Sequence, residues 1–406
     1  MPPLRADISD RIFATRLLCV LCMMYVHVPS GVDKELLSYT FSFGRFDHWL
    51  EAFLVEGPGR AGAALLSVVS GFLVARALLQ PNRSTTTLYI RRFQSTIVPM
   101  MLWGILVYGI YFIISQSRDT FLTDIDGWVN HINVVFFLTE APFGPTMHLA
   151  FLRDLFVCVL LSPVLLILLR YAAWPVLLFL AWIYLFQHDQ NYIVVLRPLV
   201  VFAFAVGMVS AIRECRVDAL DAYWGYFLGA SLLSTFLIMW FNGGGLQGLS
   251  EYLALYDVSL SESILYPSSR VFGSLAIWTI LAHLTGPSMR QMVNRCSPYL
   301  FAAFCSHHLF LTIAFHVAWE PVAGGHDSFF YIVWFVSAPL LAFLLTVAAI
   351  RMLARVSPGL ASLVTGGRVS SKRTGLPRAN GKALQTSSSE NAIASVRERS
   401  RVRSAP

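Results

Sequence analysis

The sequence predicts an all-α fold, a polytopic transmembrane bundle of about ten helices with both termini in the cytoplasm, and three observations carry that prediction. Hydrophobic residues make up 56% of the 406 and charged residues 13%, about half the charged share of an ordinary soluble domain. A water-soluble fold of this length would lack the polar residues to cover itself. Apolar runs of roughly 20 residues, long enough to cross a bilayer as helix, recur along the chain. A closed β-barrel would also satisfy the backbone in lipid, but its strands would alternate apolar and polar residues, which Val157 to Leu169 does not. Basic residues, finally, segregate between alternate loops. With the N-terminus inside, thirteen Lys and Arg fall in inner segments before the tail and five in outer ones, the asymmetry expected of cytoplasmic loops.

The spans fall near 12–29, 61–79, 94–116, 148–169, 171–187, 196–213, 219–240, 266–286, 297–317 and 328–350. The first follows Arg5, Asp7, Asp10 and Arg11, a pattern shared with secretory signals. No small-residue cleavage site follows it, so it is expected to stay as a permanent span. It carries Arg16 and His27 eleven positions apart; eleven steps of about 100° return to nearly the same face, roughly 16 Å further along the axis. A second reading is open, in which Arg16 snorkels to the interface and His27 caps the helix before Pro29. In the second span, Ser70-Gly71-Phe72 brings small residues that let helices approach closely. The third is led by the basic pair Arg91 and Arg92. A very short connection at Arg170 joins the fourth and fifth, either of which could tilt or re-enter.

The outer halves of later spans retain charge: Arg60 in the second, Arg153 with Asp154 in the fourth beside His148 at its edge, Arg197 in the sixth and Arg270 in the eighth. An ionisable group in the bilayer costs several kcal/mol and is a functional candidate by default, although each of these could equally be a paired structural charge. Neighbours on a helix face different directions, so Arg153 and Asp154 are expected to find partners on other helices. His307 and His308 lie mid-span in the ninth helix, and a polar bundle interior is the natural place for both.

Residues 1–360 are expected to form one membrane bundle and 361–406 a disordered basic cytoplasmic tail. From Gly366 the chain holds nine basic and two acidic residues, a surplus of seven that equals the whole chain's formal net charge of +7. Such a tail is drawn to anionic lipid, so the basic balance points to no nucleic-acid partner. Six scattered cysteines, with Cys19 and Cys22 inside an apolar helix, read as buried core thiols, and neither a metal site nor a disulfide framework is expected.

These residues resemble acyltransferase family 3, polytopic enzymes that O-acylate bacterial glycans and related molecules. Arg16 and His27 match its first-span Arg-to-His signature. LLSVVSGFLVAR (Leu65 to Arg76), YIRRFQSTIVP (Tyr89 to Pro99), HLAFLRDLFVCVLLSP (His148 to Pro163) and SPYLFAAFCSHHLFL (Ser297 to Leu311) match further segments in the family's order, so the likeness covers residues 11 to about 350. The chain departs from the pattern at Ala150, where the family has an aromatic, after Arg91 and Arg92, which precede Gln94 and Thr96 instead of a second spaced Arg, and at the His307-His308 pair, where the family has one histidine.

The resemblance implies acyl-CoA, usually acetyl-CoA, as co-substrate, no bound cofactor, a carbohydrate acceptor and residence in the bacterial inner membrane. Acyl transfer to a hydroxyl needs a base to take its proton, and imidazole suits that task at neutral pH. The catalytic expectation is therefore His27 with Arg16. The donor's phosphates are expected near Arg16, Arg91 and Arg92, with Ser70 as a further donor-binding residue, and the acceptor near His307, His308, Arg153, Asp154, Arg270 and His148. A transporter or flippase for a lipid-linked glycan would also have ten spans with buried Arg and His, as would an unrelated histidine-based membrane O-acyltransferase. Transporters commonly show repeated halves, and residues 1–180 and 181–360 share no repeat.

Overall fold

A computed structural model describes residues 6–29, 46–81, 84–115, 146–186, 196–242, 246–256, 258–323 and 330–369. Expectations for Lys34, Arg45, Arg83, Arg118 and the tail from 370 onward lie outside the described residues. The described chain is helical, with no strands. In order it runs α1 (Ala6–Tyr25), α2 (Phe46–Leu54), α3 (Arg60–Leu78), α4 (Thr85–Arg92), α5 (Val98–Ser115), α6 (Ala150–Phe186), α7 (Pro198–Ile212), α8 (Trp224–Asn242), α9 (Gln247–Ala254), α10 (Tyr266–Leu284), α11 (Pro287–Cys296), α12 (Leu300–Ile313), α13 (Glu320–Ala323), α14 (Tyr331–Val356) and α15 (Pro358–Val364).

Among the described residues, seven helical stretches are long and apolar enough to cross a membrane. One of them, α6, is 37 residues long, about 55 Å if straight, well beyond a hydrocarbon core of about 30 Å. It leaves helical geometry at Ala172, with φ −136° and ψ 48°, and Pro175 follows. Because His148, just before α6, and Tyr184, near its far end, line the same cavity, the chain turns back at this point. Thus α6 is two antiparallel spans, as the short connection at Arg170 suggested. With α1 and the shorter α7, this gives about ten crossings.

Helix packing centres on α3, whose most extensive contact is with α7. Glycines explain how the two approach. A Cβ on Gly71 would overlap the Phe204 carbonyl, and one on Gly207 the Val68 carbonyl. Small residues replace hydrophobic pressure as the means of close approach in lipid, so the Ser70-Gly71 step serves packing here. The lipid-facing surface is apolar, with Ile113, Val164, Trp174 and Leu178 among its exposed residues. At the N-terminal end of α1, Arg11 makes a bidentate pair with Asp221 at 2.8 Å and lies 5.0 Å over Trp278, while Asp10 pairs with Arg290.

The folded body continues past position 360 to Val369. Trp103 Nε1 donates to Val364 O at 3.0 Å, and Arg368 donates to Ser95 O at 3.0 Å. Gly366 and Gly367 take φ of 62° and 76°, a left-handed C-terminal cap that only glycine adopts cheaply.

Candidate active site

The first helix ends near His27 for a local reason. Pro29 cannot donate a backbone hydrogen bond and disfavours helix in the residue before it; the last turns are held by His27 N to Met24 O at 3.0 Å and Val28 N to Tyr25 O at 3.3 Å. Tyr331 on α14 then anchors the exit, donating to Pro29 O at 2.9 Å. His27 is thereby held at the end of α1 opposite Arg11, within the bundle.

Three further imidazoles converge on it. Ring centroids of His307, His148 and His308 lie 5.1, 5.8 and 5.8 Å from that of His27, and His148 and His307 are 4.6 Å apart. His148 sits in a short turn leading into α6, and His307 and His308 lie on α12. His148 Nε2 donates to Cys305 O at 3.0 Å, and His307 Nδ1 donates to Phe304 O at 2.7 Å. These carbonyls set the tautomers, leaving His148 Nδ1 and His307 Nε2 as buried lone pairs without a hydrogen-bond partner. His308 Nδ1 lies 3.3 Å from the Tyr111 hydroxyl. Both members of the His307-His308 pair face His27.

A cavity of about 420 Å³ opens beside this cluster. His27 and His148 line it together with Arg60, Arg197, Arg270, Glu262, Tyr184 and Tyr266, which come from the ends of α3, α6, α7 and α10. Arg60 pairs with the buried Glu56 at 2.7 Å. Arg153 and Asp154 meet each other first, and Asp154 also finds a partner on another element, as expected. Arg153 Nε and Nη2 both reach Asp154 Oδ1, at 2.9 and 2.8 Å, because the long guanidinium stem folds back across one residue. Asp154 Oδ2 also meets Arg197 Nε at 3.7 Å. The pair therefore braces the entry of α7 from behind, while Arg197 itself faces the cavity. Arg270 donates to the Tyr184 hydroxyl at 3.3 Å.

Arg16 does not line this cavity. It lies within electrostatic reach of Arg92 and Arg368 instead, and no carboxylate pairs with Arg16 or Arg368 among the described residues. Arg368 packs 4.3 Å over the Phe301 ring, two turns before His308 on the same helical path. Arg91 is exposed on α4, and Ser70 is half-buried on α3 with no side-chain hydrogen bond among the described residues. Sequence reading overlooked Arg368, Glu262, Tyr111, Tyr184 and Tyr266. Arg368 was hidden by its tail-like composition; the rest carry no motif.

The acyltransferase domain model of family 3 matches residues 11–351. The chain belongs to this acyltransferase family. The family's chemistry requires a base beside a space for reactants, and His27 with its neighbouring cavity has that form. The chain is also similar to the succinoglycan biosynthesis protein ExoH of Rhizobium meliloti (strain 1021), with 25% identity over 376 residues, 91% of this chain and 95% of that protein. No solved structure matches the chain.

Proposed function

We propose that this acyltransferase is an O-acyltransferase of the bacterial inner membrane. It moves an acyl group, acetyl in the first instance, from acyl-CoA to a hydroxyl of a cell-surface or exported carbohydrate. The observation that carries the reading is His27 at the junction of a four-imidazole cluster and an open cavity. In the transfer step the imidazole takes the acceptor hydroxyl's proton as its oxygen attacks the thioester carbonyl. The C–S bond then breaks, and the thiolate leaves with the proton returned from His27. The cavity's guanidiniums suit the oxyanion.

For the donor, the uncompensated guanidiniums of Arg16 and Arg368 beside Arg92 have the character of a phosphate site. About 16 Å of α1 separates Arg16 from His27, a distance for an extended pantetheine arm. Exposed Arg91 would add attraction at the entrance.

The test is mass spectrometry of surface glycans from a deletion strain complemented with wild type or with His27→Ala. One ester per repeat unit should disappear on deletion and return only with wild type. Unchanged glycans, or full rescue by His27→Ala, would overturn the reading.

A further inference from the structure

The turn that leads into α3 is wider than an α-helical one. Pro58 has no N–H to give, and the Arg60 N–H reaches back five residues to Val55 O. Single π-helical turns of this kind are frequent at functional sites. The Glu56 carbonyl, which an α-helix would offer to that N–H, accepts instead from Ser269 Oγ on α10 at 2.9 Å. Glycines seat the turn on its neighbours. A Cβ on Gly59 would stand 3.1 Å from a Val26 methyl and 3.4 Å from Cys22 O, and one on Gly57 would stand 3.1 Å from Thr235 Oγ1. Val26 directly precedes His27, so the wide turn lies against the end of α1 that carries the base.

Arg60 is the first residue past this turn, and it lines the same cavity as His27. Behind it, Glu56 Oε2 lies 2.7 Å from Arg60 Nε; the arginine side chain keeps 21% of its surface open and the glutamate keeps none. No other group donates to either Glu56 carboxylate oxygen among the described residues. The Tyr266 ring adds a contact 5.4 Å from the guanidinium carbon. A buried ion pair is weak evidence for stability, because apolar residues of similar volume often serve as well. A carboxylate buried behind a cavity cation has instead the form of a brace. The other cavity guanidiniums are engaged elsewhere. Arg197 leans on Asp154 at 3.7 Å, and Arg270 gives to Tyr184 and also borders a second, apolar cavity of about 330 Å³ that Arg60 does not line.

We infer that Arg60 is a catalytic residue, the guanidinium that stabilises the oxyanion of the transfer, and that Glu56 is the positioning residue that holds it. The inference rests on the function proposed above. As the acceptor oxygen bonds to the thioester carbon, the carbonyl π pair moves onto its oxygen beside Arg60 while His27 takes the hydroxyl proton. That pair then reforms the carbonyl, the C–S bond breaks, and the thiolate takes the proton from His27. A cation already aimed at the developing charge needs no reorganisation at that moment.

The test follows radiolabelled acetyl-CoA into glycan isolated from the deletion strain, with the full chain in nanodiscs. Arg60→Gln should lower kcat about 10²–10³, the usual loss for one oxyanion donor, with KM for acetyl-CoA within about twofold of wild type. Glu56→Gln keeps the cation but releases it, and should lower kcat about tenfold with KM likewise unmoved. Arg60→Gln alone strands a buried carboxylate and should also melt lower, so the double variant Glu56→Gln/Arg60→Gln separates fold from chemistry. It should melt near wild type and stay as slow as Arg60→Gln. A double variant that regains the wild-type rate overturns the inference, since the pair is then only a brace for the fold. So does an Arg60→Gln whose loss falls on KM and not on kcat. If wild type esterifies no glycan from any acyl-CoA, the transferase reading falls and takes this inference with it, whereas an active wild type with an equally active double variant removes the inference alone.

Discussion

At the scale of single residues, the site depends on where ring nitrogens carry protons. His148 and His307 each give one N–H to a carbonyl of α12, and the other nitrogen of each ring, though bare, is buried away from open space. His27 lies among them and lines the cavity, which makes it the group placed to exchange a proton with a reactant. His27→Gln should lower kcat by about 10²–10⁴, the usual share of a general base, without lowering the melting temperature; acyl transfer from radiolabelled donor and a thermal melt in detergent check the two halves. His148→Phe should behave differently, costing stability as well as rate. It removes a buried hydrogen bond that the Cys305 carbonyl accepts in addition to its helical one, worth about 0.5–1.5 kcal/mol. At the proposed donor end, Arg368→Ala should raise KM for acyl-CoA about tenfold with kcat nearly unchanged, because a phosphate contact there would be made in ground and transition states alike. Steady-state kinetics at fixed acceptor decide this.

Single elements contribute by contact and by breaks in regularity. The α3–α7 crossing has backbone against backbone at Gly71 and Gly207, so neither neighbour is a flexible side-chain end that can move aside. Gly207→Ala should therefore destabilise the protein by about 1–3 kcal/mol or more, read as a lower melting temperature and reduced yield of monodisperse protein. The break at Ala172 brings His148 and Tyr184 to one cavity; a straight α6 would separate them. The short α15 holds the end of α5 through Trp103 and carries the chain on to Arg368. Ending the chain after residue 357 should lose both stability and donor binding, whereas ending it after 369 should preserve both. Thermal melts and CoA binding of the two truncations test the contrast.

For the whole molecule, the distribution of charge sets orientation. Arg11, Arg213, Arg216, Arg290 and Arg295 collect at one end of the bundle, around the N-terminus of α1, and His27 is at the other. The proposed topology puts the basic end in the cytosol. Cys215, exposed in the turn after α7, should then react with a membrane-impermeant maleimide in inverted vesicles but not in intact spheroplasts. The reverse pattern would turn the protein over and put the glycan cavity on the wrong side.

Hydrophobic run length, the sparsity of charge and the Arg16-to-His27 spacing are local properties, and by themselves they determined the helical membrane fold and the family and singled out His27. Local spacing also placed Arg16 and His27 on one helical face toward opposite sides of the membrane, but only packing set Arg368 near Arg16 and three imidazoles around His27. Polar partnerships are long-range: Arg270 with Tyr184, Arg368 with Ser95, and three histidines from two other segments around the first. No periodicity within one helix encodes which turn of another it will meet. The two adjoining cavities arise only when α3, α7 and α10 are packed together, because a void is a property of the space between helices and not of any one of them.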